Sequence, residues 1–208
     1  MTTITTYAEL KQNIIDHTKR SGNDMLSKLD LFIDMAESDI NKDLRVREME
    51  SRTTATTSTS DRFVALPTGF KQMRQLQITV NSVLYDLDFV TLKFMTINDN
   101  AGIPTQFTIT SQIEMNRVSD QAYTLEIDYW KEVTALSNSN TSTTVLTTYP
   151  MVYLAACLKH AFRWTLQYDN ADYWENVFMR EISKANRKSR KGQVGPVPRM
   201  MPSGGMVV

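Results

Sequence analysis

The stretch Tyr149-Pro150-Met151-Val152-Tyr153-Leu154-Ala155-Ala156-Cys157-Leu158-Lys159-His160-Ala161-Phe162-Arg163-Trp164 is the most apolar run in the chain. Its apolar residues go most of the way round a helix, the mark of a helix packed on several sides. Pro150 suits a first turn, where its missing N–H has no partner to lose, and Thr147 or Thr148 is placed to cap it. Lys159, His160 and Arg163 interrupt the run well short of the roughly 20 apolar residues a bilayer needs, so it reads as a core helix and not a membrane span. After a turn signal at Asp169-Asn170, Trp174, Val177, Phe178, Ile182 and Ala185 fall on one helical stripe. The two helices are expected to form an antiparallel hairpin. Asp172 and Glu175 near the start of the second, with Lys184, Arg187 and Lys188 near its end, complement its dipole.

Working back to the start of the chain, Thr6-Tyr7-Ala8-Glu9 is a capping box. Tyr7, Leu10 and Ile14 line the helix that follows, with Gly22 and Asn23 expected to end it. Leu29, Phe32, Ile33, Ala36, Ile40 and Leu44 then hold one face for over four turns. Past Leu44 the pattern fails in the charged segment Arg45 to Arg52, and residues 53 to 60 are Thr or Ser except Ala55. From there to about residue 131 the period is two. Val83, Tyr85, Leu87 and Phe89 alternate with their neighbours, as do Tyr123, Leu125, Ile127 and Tyr129, the pattern of half-buried strands. Asn81-Ser82 and Thr110-Ser111-Gln112 read as hairpin turns and Pro67-Thr68-Gly69 as a further turn. One antiparallel sheet of five or six strands is implied, with Thr91 to Asn98 as an irregular or helical connection and Ser137 to Thr148 as a loop or exposed strand.

The fold class is therefore α+β: N- and C-terminal helix pairs forming a helical bundle, with an inserted antiparallel β-sheet and an extended C-terminal tail. The expected divisions are 1–50, 51–147, 148–191 and 192–208. Leu29, Phe32, Ile33, Phe162, Trp164 and Phe178 are expected in the shared core. Residues 192–208, rich in Gly and Pro, carry no period that could form one.

Composition narrows the function. Lys plus Arg and Asp plus Glu number 23 each, so global charge does not argue for a polyanionic partner. The lone Cys157 excludes an internal disulfide framework and fits a reducing, intracellular origin. Residues 1–6 have neither a basic segment nor an apolar core, so no secretory signal is expected. No phosphate-binding glycine motif occurs. Asp86 and Asp88, or Glu126 and Asp128, put two carboxylates on one strand face without the further ligands a divalent cation wants. Cys157 and His160, one turn apart, are the sole pairing that resembles a nucleophile and base, and a small hydrolase is one alternative reading. A nucleic-acid-binding module built on the basic helix end is another. No cofactor or metal is expected.

Two local features remain. Lys184, Arg187, Lys188, Arg190 and Lys191 form a basic helix end with no acid after Glu181. The run from Thr53 to Ser60 is polar on both faces, so Thr53, Thr54, Thr56 and Thr57 read as an edge strand able to pair with another subunit.

Ile40 to Glu50 running into the Thr/Ser strand, Phe63-Val64-Ala65-Leu66-Pro67-Thr68-Gly69-Phe70, and Tyr129-Trp130-Lys131-Glu132-Val133-Thr134-Ala135-Leu136-Ser137 before the Tyr149 helix resemble the head-to-tail adaptor proteins of tailed bacteriophages. The resemblance extends from about residue 4 to 190. It implies a virion structural protein rather than an enzyme: a ring, commonly dodecameric, assembled in the bacterial host cytoplasm and seated under the portal protein. Such a ring continues the channel for passing DNA without reading its sequence, offers a platform to a tail or nozzle protein, and involves no membrane. In related adaptors a C-terminal arm reaches the portal; here that role falls to Arg187, Lys188, Arg190, Lys191, Val197, Arg199, Met200 and Met201.

Overall fold

The computed structural model describes residues 4–193, with side chains to Arg190. Two compact units make up the chain, one of Met1–Arg47 with Leu146–Val208 and the other of Glu48–Val145. Helices occupy the first and antiparallel sheets dominate the second, the expected α+β class. Among the described residues no helix is long and apolar enough to cross a membrane.

The helical unit holds α1 (Tyr7–Thr18), a single turn α2 (Asn23–Leu26), α3 (Leu29–Asp43), α5 (Pro150–Trp164) and α6 (Tyr168–Gln193), with α4 (Thr144–Thr148) preceding α5. The capping box forms: Glu9 N–H donates to Thr6 Oγ1, and Thr6 N–H donates to the Glu9 carboxylate at 3.0 Å. Helix α5 is buried from Val152 to Lys159 and packs against α1, α3 and α6. Leu29, Phe32, Ile33, Phe162 and Phe178 are buried as expected, and the α6 stripe runs from Ala171 through Phe178, Ile182 and Ala185 to Ser189. Trp164 is the exception. It stands 38 % exposed at the last residue of α5, its ring lying 5.9 Å from that of Phe32 at the rim of the core.

The C-terminal ends of α1 and α5 differ from expectation because their left-handed positions lack glycine. Helix α1 stops at Thr18 with Lys19 at φ 51°, ahead of Gly22. Helix α5 closes in a Schellman arrangement, with Gln167 N–H donating to Phe162 O and Leu166 N–H to Arg163 O, while Leu166 takes φ 59°. The reversal is thus Thr165–Gln167, and Asp169-Asn170 lie in the first turn of α6. The expected loop before α5 contains α4, because Val145 and Leu146 are buried there. Thr147 and Thr148 belong to α4, and Tyr149 precedes α5 without a side-chain cap. Helix α6 also continues to Gln193, two residues past the expected boundary.

Within the helical core, Lys159 is buried among Asp39 at 2.8 Å, Glu175 at 3.3 Å and the ring of Phe178. His160 Nε2 lies 2.8 Å from the same Asp39 carboxylate. Burial tends to raise the Asp39 pKa, but the hydrogen bonds and charges of Lys159 and His160 win and hold it below the usual carboxylate range. Burial, with Lys159 and Arg163 adding to it, lowers the pKa of His160 against the opposing pull of Asp39. The unfolded chain therefore takes up the His160 proton more readily than the folded one. Stability is expected to decline as pH falls through about 6.5, the ordinary histidine value, and further below about 4 as Asp39 loses its advantage. Thermal melts between pH 7.5 and 5.5 check this, and His160→Gln, which keeps an N–H for Asp39, is expected to flatten the slope.

The β unit has two four-stranded sheets where one was expected. In the first, β1 (Glu50–Thr56), β8 (Thr124–Lys131), β3 (Phe70–Val80) and β4 (Val83–Asp86) lie in that order, every neighbour antiparallel. In the second, the order is β2 (Phe63–Val64), β7 (Ile113–Met115), β6 (Gln106–Ile109) and β5 (Asp88–Phe89), the β5–β6 pair being parallel. Leu76, Ile78, Leu125 and Ile127 of the first sheet share a core with Val64, Phe107, Ile113 and Met115 of the second. Asn81 and Ser82, at φ 50° and 64°, make the β3–β4 turn that their position predicts. Gly69, at φ 71°, completes the Pro67 turn. The expected alternation at 83–89 fails: Val83, Leu84, Tyr85 and Phe89 are exposed and Leu87 alone is buried.

Candidate functional site

Strand β1 is an edge of its sheet, bonded on one side to β8 in register from Glu50↔Trp130 to Thr56↔Thr124. Its two faces are unlike. Thr53 and Ala55 lean toward the core, while Arg52, Thr54 and Thr56 face outward. Arg52 makes a two-pronged bond to Asp128 at 2.6 and 2.7 Å and reaches Glu126 at 3.5 Å. These bonds hold the Asp128 carboxyl below its ordinary range, so Glu126 and Asp128 serve a charge ladder across the sheet. Asp86 accepts from Gln75 and Gln77, and Asp88 lies in the other sheet, so that expected carboxylate pair does not share a strand face. Among the described residues no cluster of side chains could hold a metal ion.

Thr57 does not belong to the open edge. It is buried, with Oγ1 donating to Gln121 O and accepting from Tyr123 N–H, so it locks the end of β1 from within.

The basic helix end owes its position to two residues that periodicity did not single out. Asn186 accepts from Arg45 N–H at 2.8 Å and donates to Asp43 O at 3.0 Å, while Ser189 Oγ accepts from Arg47 N–H at 3.1 Å. These bonds tie the last described turns of α6 to the segment leaving α3. Arg187, Lys188 and Arg190 are consequently exposed on the other faces. Lys184 is paired with Glu181 at 2.8 Å. Beside them Pro150, Met151 and Val152 line a groove of about 260 Å³ with Ala185 and Lys188. The side chain of Lys191 and residues Val197, Arg199, Met200 and Met201 lie outside the described residues.

The Cys157–His160 pair does not assemble. His160 spends its ring nitrogen on Asp39, and burial, with the charge of Glu37 adding to it, pushes the fully buried Cys157 thiol far above its ordinary pKa. A nucleophile needs the opposite shift and an open approach. Cys157 is therefore expected to be silent toward a thiol reagent in the folded chain and to react fully once denaturant unfolds it. Rapid labelling under native conditions would contradict the burial.

The chain matches the SU10 adaptor protein family over residues 5–199. It belongs to that family. No curated relative matches it. The adaptor is thus a structural protein of the phage virion, acting at the junction of head and tail.

One feature of the adaptor escaped the reading of periodicity. Val83, Leu84, Tyr85, Phe89, Leu92 and Phe94 are large, apolar and exposed, Phe94 by 72 %. Val83-Leu84-Tyr85 breaks strict alternation by putting apolar groups on both faces of a strand, and that was the available signal.

Proposed function

We propose that the adaptor forms a ring under the portal, commonly a dodecamer in such proteins, that continues the DNA channel and seats the tail or nozzle protein. The family match over residues 5–199 is the observation that carries this reading. Its near-neutral charge suits a channel through which DNA passes without being read. Thr53, Thr54 and Thr56, on an open edge strand, are assigned to the neighbouring subunit. Arg187, Lys188, Arg190 and Lys191, with Val197, Arg199, Met200 and Met201 beyond them, are assigned to the portal. Assembly takes place in the bacterial host cytoplasm.

A free ring would compete with ordered assembly, and a polar edge pairs weakly until a template aligns many copies. The purified chain is therefore expected to sediment as a monomer at micromolar concentration and to form rings only on portal-containing heads. Stable rings without the portal would refute the template requirement. Electron microscopy of particles carrying a label on this chain tests the placement itself; a label away from the head-tail junction would refute it.

A further inference from the structure

A closed ring of more than two copies needs two different surfaces on each copy, because pairing a surface with itself closes after two. Strand β1 supplies one. The structure points to the other at the far edge of the same sheet.

Strands β1, β8, β3 and β4 alternate in direction, so β4 runs opposite to β1. A second copy rotated about an axis roughly along the strands presents its β1 antiparallel to β4, and the ladder continues without a change of hand or direction. The edge strands of the other sheet, β2 and β5, have two residues each and cannot set a register.

The core face of the sheet also runs on into β4 and is left open there. Tyr85 lies opposite Ile78 and Val83 opposite Val80, so their side chains share the face of buried residues. Ile78 is 1 % exposed; Tyr85 is 53 %. Strands β4 and β5, consecutive in the chain, are outer strands of their two sheets, so exposed Phe89 follows along the same side. The exposed apolar side chains from Val83 to Ile103 present on the order of 700 Å² together, close to the ~800 Å² each partner gives to a standard interface.

We infer that β4 of one copy pairs antiparallel with β1 of the next, Thr53, Thr54 and Ala55 lying against Tyr85, Leu84 and Val83 so that the core face runs on across the joint, while the apolar segment from Phe89 to Ile97 closes over it. The occupant of the patch is a second copy of this chain. This rests on the reading of the chain as a ring subunit.

The test uses the full chain assembled on portal-containing heads. Leu84→Cys is combined in turn with Thr54→Cys or Thr56→Cys, which share its face of the sheet, and the heads are oxidised. At least one combination is expected to give a ladder of covalent multimers on non-reducing gels, and no single variant any. Dimers from Thr54→Cys alone would show β1 pairing with itself and overturn the inference. Rings visible by microscopy with no ladder from any combination would overturn it while leaving the ring reading intact; heads without rings would remove both. In parallel, Tyr85→Glu with Phe94→Glu is expected to leave the melting temperature of the free chain within about 2 °C of the parent, since both side chains are exposed. Ring occupancy on heads is expected to fall at least tenfold. Undiminished occupancy, with or without loss of tail attachment, would assign the patch to something other than a neighbouring copy.

Discussion

Phe32→Ala is expected to destabilise the helical unit by about 3–5 kcal/mol, the range for a buried phenylalanine whose site cannot collapse. Phe32 is 2 % exposed in the middle of the α3 stripe, where Leu29, Ile33, Ala36 and Ile40 are equally enclosed. Helix α3 packs on α5, which is itself surrounded, so no mobile neighbour is available to fill the space. Denaturant titration followed by the helical circular dichroism signal measures the loss. A change under about 1 kcal/mol, as at surface positions, would show that the stripe faces solvent. Leu31→Ala on the exposed side of the same helix is the control, expected within about 0.5 kcal/mol of the parent.

Truncation after Gln193 is expected to leave the melting temperature of the free adaptor unchanged within about 1 °C and to reduce its retention on portal-containing heads more than tenfold. Val194, Val197, Met200, Met201 and Met206 are spaced among Gly and Pro with no helix or strand period, so they have no pattern for joining their own subunit's core. In the proposed docking, the methionines and valines would enter grooves of the portal ring, with Arg199 and the exposed Arg187, Lys188 and Arg190 meeting acidic groups there. Ordering one such segment costs entropy and binds weakly, whereas a ring of them engages together and holds. Differential scanning calorimetry of the free chain and co-sedimentation with heads read the two effects separately. A drop of several degrees would place the segment in the subunit's own core, since that is roughly what losing 1 kcal/mol or more does to a domain of this size. Full retention after truncation would remove it from docking.

Much of the fold was legible in the chain because its strongest signals are local and repeated. The stripe from Leu29 to Leu44, the apolar run of α5 and the capping box at Thr6 each depend on spacing along one element, and each is found in place. The turns at Asn81-Ser82 and Gly69 were legible for the same reason, residues tolerant of a positive φ standing where one is needed. Lys19 and Leu166 take equally left-handed conformations without such a residue type, so the true ends of α1 and α5 carried no signal.

The sequence by itself determined the α+β order of elements, the helical core and the polar character of the β1 edge. Tertiary structure alone decided that β4 became the opposite edge, and therefore which apolar groups stayed uncovered. Val83 and Tyr85 have the residue types and spacing of core positions, and they do share the core face; they are exposed because β4 is the last strand of its sheet. It likewise decided that His160 bonds to Asp39 instead of serving Cys157, and that Asn186 and Ser189 anchor α6 to the segment leaving α3. Periodicity reports which face of an element turns inward, whereas burial depends also on what covers that face, and the cover comes from residues far away in the chain.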